Sequence, residues 1–248
     1  MSKRLETDPL PADPGATPGP KIAVVIPARD EELALPLVFR DLPDHLRRNV
    51  VVVDNGSTDR TATVARSLGA RVLAEPQRGY GRACLKALTH LEEIRPDYVV
   101  FLDADHSDHP EEIPELLAPL LRDEADLVIG SRTRGRHQKG ALPFHAMMGN
   151  RVATFLIWIL LGFRYSDLGP LRAIVYPKLV ELQMRDAGFG WTVEMQVKAV
   201  KKGLRIREVA VSYRPRVGSS KVSGTVTGSL GAGAKIIWTI FRLSLFQS

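Results

Sequence analysis

The chain has 248 residues, with 34 Lys and Arg against 28 Asp and Glu for a formal charge of +6, and hydrophobic residues make up 44% of it. That is ordinary globular usage, enough to bury one large core or two small ones, and it excludes a mostly disordered chain. Cys84 is the single cysteine, which excludes a disulfide scaffold and is in keeping with a reducing compartment. No apolar stretch follows Met1, so no secretory signal is expected. Residues 1–20 run instead through Pro9, Pro11, Pro14, Pro18 and Pro20 with Gly15 and Gly19, and read as a disordered tail outside the fold.

From there the chain alternates. Ile22 to Ile26 is a short β-branched run ended by Pro27, which reads as a buried strand. Glu31 to Leu42 has apolar residues at helical spacing, and Val50 to Val53 is a second buried strand. Thr58 or Asp59 is placed to cap a helix carrying Val64 and Leu68 on its apolar face. Arg71 to Ala74 reads as a short strand, Gly79 to Ile94 as a helix, Tyr98 to Leu102 as a strand, Pro110 to Leu121 as a helix and Leu127 to Gly130 as a strand. Such alternation implies an α/β fold with a mainly parallel sheet, whose strand ends gather on one edge where ligands bind.

The second half is less regular. Val152 to Phe163 is strongly apolar but short for a bilayer span, which takes ~20 residues. Leu230 to Phe246 repeats Ile236, Ile237, Ile240 and Leu243 at helical spacing. That suits an amphipathic helix over 226–248, lying on a membrane surface or packing a dimer. Charge is also uneven. Glu92 to Asp126 holds twelve acids and two bases, Ser131 to Arg151 five bases and no acid, and Lys198 to Lys221 eight bases and one acid. An acidic zone followed by two basic ones points to a metal or polar site beside an anion site.

Four stretches carry chemistry. Phe101-Leu-Asp-Ala-Asp105 follows a strand, and residues i and i+2 of an extended chain point to one side, so Asp103 and Asp105 can share a Mg²⁺ or Mn²⁺ that bridges a diphosphate. Val53-Asp-Asn-Gly-Ser-Thr-Asp59 ends another strand with groups able to bond a base or ribose edge, although a turn and helix cap would use the same residues. Arg78-Gly-Tyr-Gly-Arg82 opens a helix that could receive an anion. Tyr213-Arg-Pro-Arg-Val-Gly-Ser-Ser-Lys221 sets Arg214, Arg216 and Lys221 on a loop able to fold over phosphates.

Taken in order with Pro27-Ala-Arg-Asp-Glu-Glu32 and Gly130-Ser-Arg132, these motifs resemble the family 2 glycosyltransferases of the GT-A fold, and among them the dolichyl- and polyprenyl-phosphate sugar synthases. The resemblance spans about Lys21 to Lys221, giving a GT-A domain over 21–225. It implies an inverting, metal-dependent hexose transfer from a nucleotide-sugar, GDP-mannose or UDP-glucose, to a lipid phosphate. Pro27, Arg29, Glu31, Asp54 and Asn55 would line the donor pocket with Asp103. Asp103 and Asp105 would hold the metal, and Arg132, Arg214, Arg216 and Lys221 would face the acceptor and reacting phosphates. Three positions depart from the pattern: Asn55 for a second Asp, Ser107 for a Gln, and His145 near an expected Arg.

A phosphate acceptor is already an anion at neutral pH, with a second pKa of about 6. A hydroxyl acceptor needs a base, for which Glu194 and Asp167 are the candidates beside the acceptor, so they join Asp105 as catalytic residues. A lipid acceptor would place the enzyme in the cytoplasm, peripheral on the inner membrane face. The rival within the fold is a soluble enzyme acting on a small hydroxyl acceptor. Nucleotidyltransferases would need a Gly-rich opening that Pro27 to Glu32 lacks. A basic nucleic-acid binder accords with the pI of about 9.6 but not with the 6% aromatics, so no nucleic-acid partner is expected.

Overall fold

β1 (Ile22–Ala28) sends alternate side chains to two faces, and both are buried: Ala23 and Val25 enter one apolar cluster, Ile22, Val24, Ile26 and Ala28 another. A central parallel strand covered on both sides has no solvent face, which is why this run is continuously apolar. The computed structural model describes residues 19–218 and 226–246. The expected tail, apart from Gly19 and Pro20, and Lys221 fall outside the described residues.

In chain order β1 is followed by α1 (Leu35–Asp41), α2 (Asp44–Arg47), β2 (Val50–Asp54), α3 (Thr61–Ser67), β3 (Arg71–Ala74), α4 (Tyr80–Ile94) and β4 (Tyr98–Phe101). A 3-10 turn (Pro110–Glu112) then leads into α5 (Ile113–Leu121), β5 (Leu127–Ser131) and α6 (Phe144–Leu161). The chain continues through β6 (Arg172–Val175), α7 (Tyr176–Glu181), α8 (Trp191–Lys201), β7 (Ile206–Ala210) and α9 (Val226–Phe246). The seven strands form one sheet in the order β3-β2-β1-β4-β6-β5-β7. Every pairing is parallel except those of β6, which runs against β4 and β5. The fold is therefore the expected α/β architecture, a mainly parallel sheet flanked by helices.

Parallel strands end together. Ala28, Asp54, Phe101 and Ser131 close β1, β2, β4 and β5 on one edge, and β6, running the other way, begins there with Arg172. Loops at that edge carry the motifs. A cavity of about 550 Å³ opens at the start of β1, β2 and β3, lined by Lys21, Arg48, Arg71 and His90 among others. It includes none of the motif residues.

Helix α1, strands β6 and β7 and helix α6 differ from the sequence reading. Helix α1 starts at Leu35, four residues after Glu31, because Asp30 takes a left-handed φ of 51° and the next N–H groups leave the helical path. Glu31 N–H donates to Thr61 Oγ1 at 2.7 Å and Glu32 N–H to Asp59 Oδ2 at 3.2 Å. Strands β6 and β7 were not foreseen, since β6 has four residues led by an arginine and β7 is a half-exposed edge strand containing Arg207 and Glu208. Helix α6 starts at Phe144, well before Val152, and ends at Gly162, whose φ of 74° lets its N–H reach Trp158 O at 2.8 Å. It is thereby long and apolar enough, by length and composition, to cross a membrane. The expected C-terminal helix is present as α9, which packs against α6 and α8 with Thr239, Ile240 and Leu243 buried and Trp238 and Leu245 exposed. Lys201 Nζ also donates to Leu243 O at 2.7 Å.

Candidate active site

On the donor side Pro27 and Ala28 lie opposite Val53 and Asp54 across β1 and β2. Arg29 follows, with a buried Nε that makes no hydrogen bond; Asp30 Oδ2 lies 3.7 Å away. A buried donor left open at a strand end is what a ligand acceptor atom would complete. Glu31 is buried between the end of β1 and the start of α3, and Asp54, half-buried, accepts Ser57 N–H at 3.2 Å. Asn55 behaves differently. Its amide donates to Glu75 O (3.1 Å) and Gln77 O (2.8 Å) and accepts Gly79 N–H (2.8 Å). The side chain expected to meet the nucleoside is thus engaged in tying the end of β2 to the 75–79 loop. That engagement also accounts for an amide where the family pattern has an Asp: a carboxylate has no N–H to give two carbonyl oxygens.

The Arg78-to-Arg82 loop likewise turns inward. Gly81 N–H and Arg82 N–H donate to Gly188 O and Ala187 O, each at 3.1 Å, so these first-turn donors of α4 are occupied by protein and do not form an open anion site. A Cβ on Gly81 would stand 2.0 Å from Asp186 O, and one on Gly79 2.3 Å from Ala187 O. The glycines are there for the close approach of the 186–188 segment.

Asp103 and Asp105 lie just past β4. Asp103 accepts Tyr80 Oη–H at 3.2 Å, and burial, then the Asp105 charge, raise its pKa to about 6. Asp105 is buried; it accepts Ser107 N–H at 3.0 Å, is hydrogen-bonded by Ser107 Oγ, and pairs with Arg216 at 3.1 Å. Ser107 therefore braces a carboxylate in this chain. A third acid, Asp108, escaped the sequence reading: it is 1% exposed, its Oδ1 has no hydrogen bond, and burial followed by Asp103 and Asp105 raises its pKa well above the usual carboxylate range. Among the described residues no group of three or more His, Cys, Asp or Glu is arranged to hold a metal. Asp103 and Asp105, two adjacent acids with a cation already resting on Asp105, fit Mg²⁺ or Mn²⁺, which bind through one or two carboxylates plus substrate phosphates.

The acceptor side is built on Arg132, just past β5. Its guanidinium forks onto Asp167, Nε to Oδ2 at 2.9 Å and Nη2 to Oδ1 at 2.8 Å, while its own N–H reaches Oδ2 at 2.8 Å. Tyr213 lies beneath it, 5.0 Å from ring centroid to Cζ. Burial opposes the charge, but the Asp167 bonds outweigh it and hold Arg132 firmly protonated. Glu208 accepts Asp167 N–H at 3.2 Å, and Gln196 donates to Asp167 O at 3.1 Å. Glu194 is equally committed: it accepts N–H from Arg185 (3.1 Å) and Asp186 (2.6 Å) and pairs with Lys198 at 2.7 Å. Both candidates for a general base are engaged with protein partners here. Asp167 is 0% and Glu194 1% exposed, and each carboxylate is saturated by fixed partners.

Of the basic loop, Arg216 meets Asp105 and Arg214 turns away from it. Arg214 donates to His106 O (2.8 Å), Asp108 O (3.0 Å) and Asp41 Oδ2 (3.0 Å), fastening the acid loop to α1. Burial would raise the Asp41 pKa, but bonds from Arg40, His106 and Arg214 outweigh it and hold the carboxyl well below its usual range. Arg214 is thus a brace in this structure. Arg172 was also missed: fully buried at the start of β6, beside Phe101, it donates to backbone carbonyls including Thr192 O at 2.9 Å. A lone arginine inside an apolar run gave no signal of that cage.

A mainly parallel sheet with paired acids beyond its fourth strand, and a fixed arginine across the same edge, has the architecture of a GT-A glycosyltransferase. The pattern of glycosyl transferase family 2 matches residues 23–176, and the chain belongs to that family. An uncharacterized glycosyltransferase of Mycobacterium tuberculosis is 38% identical over 215 residues, 86% of this chain and 94% of that protein. The UDP-N-acetylglucosamine–dolichyl-phosphate N-acetylglucosaminyltransferase of Methanococcus voltae is 28% identical over 211 residues, 77% of this chain and 84% of that protein. Glucosyl-3-phosphoglycerate synthase from M. tuberculosis, solved with Mn²⁺, UDP-glucose and phosphoglyceric acid, is 25% identical with a TM-score of 0.69, over 94% of this chain and 85% of that one. The chain is a glycosyltransferase.

Proposed function

We propose that this enzyme moves a hexose from a nucleotide-sugar, GDP-mannose or UDP-glucose, to a polyprenyl phosphate with inversion at the anomeric carbon. One observation carries the choice of acceptor. The acceptor side offers a fixed cation, Arg132, while the two carboxylates expected there as bases, Asp167 and Glu194, are committed to other partners. A phosphate oxygen needs positioning by such a cation and no deprotonation, whereas a hydroxyl needs a proton taken. The dolichyl-phosphate specificity in the name of the M. voltae relative points the same way.

In this reading the donor base and ribose sit among Pro27, Arg29, Glu31 and Asp54, with Asn55 shaping the floor. Asp103 and Asp105 would hold Mg²⁺ or Mn²⁺, which supplies charge neutralisation of the leaving nucleoside diphosphate. Arg216, within reach of Asp105, is placed to exchange that partner for the diphosphate oxygens, and Lys221 would assist from the same loop. Arg132 orients the attacking phosphate oxygen opposite the leaving group. A second reading, transfer to a small phosphorylated hydroxyl acceptor, is favoured by the phosphoglycerate in the solved relative, because Arg132 would serve that phosphate too. The experiment uses labelled GDP-mannose and UDP-glucose, each metal, and either detergent-dispersed polyprenyl phosphate or phosphoglycerate. Label passing into the organic phase supports the first reading; label found only in a water-soluble glycoside overturns it.

A further inference from the structure

Helix α6 leaves most of itself uncovered. Of its 18 residues only Ala153, Thr154 and Ile157 are buried. Phe144, Met148, Val152, Phe155 and Ile159 follow one another at spacings of three and four, so they share a face, and all are exposed, Phe144 by 77% and Ile159 by 59%. Trp158 lies beside them, with the Arg164 guanidinium 4.1 Å above its ring. An unpartnered face of this size on a folded domain marks an interaction surface.

Charge decides what covers it. No Asp or Glu occurs anywhere from Leu127 to Ser166, while Arg134, Arg136 and Lys139 are exposed on the approach to the helix, Arg151 on it and Arg164 just beyond it. Bases around an apolar stripe, with aromatic rings among them, match the headgroup region of an anionic bilayer. A second copy of the chain fits poorly, because a two-fold interface would bring this acid-free surface against itself. The inner stripe of α6 packs on α8 and α9, so the helix lies along the domain and does not pass through a bilayer. The same segment leaves the sheet at Ser131, next to Arg132, so a docked α6 would hold the acceptor side of the site close to the lipid surface.

We infer that the outward face of α6, with the basic approach 134–139 and Arg164, is the surface by which this enzyme docks on an anionic membrane; the inference deepens the lipid-phosphate reading and rests on it. α9 gives Ile240 and Leu243 to its packing with α6 and α8 and leaves Trp238 exposed, so the test reads the two helices separately.

The test separates docking from acceptor choice by using phosphatidylcholine vesicles with and without phosphatidylglycerol, and no polyprenyl phosphate. The full chain should float with the anionic vesicles. F155D/I159D should lose at least tenfold in binding, and Arg136→Glu or Lys139→Glu about fivefold or more each, with circular dichroism unchanged because all four side chains are exposed. Brominated lipid should quench Trp158 in a W238F variant. Wild-type binding no tighter than that of F155D/I159D overturns the inference, as does quenching confined to Trp238 in a W158F variant. A wild-type dimer in solution that F155D/I159D converts to monomers also overturns it. Turnover of detergent-dispersed acceptor should survive in F155D/I159D. Vesicle binding that depends on α6, with no transfer to polyprenyl phosphate by any variant, supports docking while removing the acceptor reading.

Discussion

Asp167→Asn distinguishes a positioning carboxylate from a general base. In the wild type two charge-assisted bonds of 2.8 and 2.9 Å join Asp167 to the Arg132 guanidinium, and a third, of 2.8 Å, reaches the Arg132 N–H. An amide would keep one accepting oxygen and turn an NH₂ group toward the guanidinium donors. Breaking a buried pair from one side costs about 3–5 kcal/mol. With 17% of the Arg132 side chain exposed and able to regain water, the lower end applies, about 3 kcal/mol. For a chain of this size that is a Tm lower by about 6–12 °C. Urea and thermal unfolding measure the loss, and steady-state kinetics should show a raised KM for the phosphate acceptor with a smaller change in kcat. R132M/D167L should regain much of the stability, since no charge is left unpaired, yet remain unable to use the acceptor. If Asp167→Asn melts like the wild type and loses only kcat, the positioning argument fails and Asp167 returns as the base.

Other consequences are as specific. Asn55→Asp removes both donors to Glu75 O and Gln77 O; at about 1 kcal/mol for each of these half-buried hydrogen bonds, it should lower the urea midpoint and weaken nucleotide-sugar binding by calorimetry. Gly81→Ala drives a Cβ to 2.0 Å from Asp186 O and should destabilise by about 1–3 kcal/mol or more, read as a lower Tm, whereas alanine at Gly140, with no atom within 4 Å, meets only the strain of its positive φ. Asp103 has a folded pKa of about 6, so Mn²⁺ affinity should fall about tenfold between pH 7 and pH 5 as its proton returns. The same raised pKa acts on stability with the opposite slope. Between about pH 4 and 6 the folded metal-free protein keeps a proton that the unfolded chain has released, so this group's contribution declines as pH rises through that window. Asp103→Asn should flatten both dependences in titrations followed by Mn²⁺ electron resonance and by urea.

Much of the donor half was legible in one dimension. Strands covered on both faces must be continuously apolar, and the short runs at Ile22, Val50, Tyr98 and Leu127 declared themselves for that reason. Parallel pairing then dictates that their ends share an edge, which brings Arg29, Asp54, Asp103 and Asp105 together without any knowledge of side-chain contacts. Partnership was beyond the sequence. Whether a carboxylate is a free base or an engaged anchor depends on residues away from its own motif: the Asp167 carboxylate answers to Arg132, Glu194 to the 185–186 backbone, and Arg214 reaches Asp41 across 173 positions. The same holds for the apolar stretches, since hydropathy alone made α6 and α9 equivalent. Which of their faces met a partner within the fold, and which was left facing outward, was decided by how the two helices packed on each other and on α8. Local sequence reports what a segment can bury; only the folded chain determines what it has buried already.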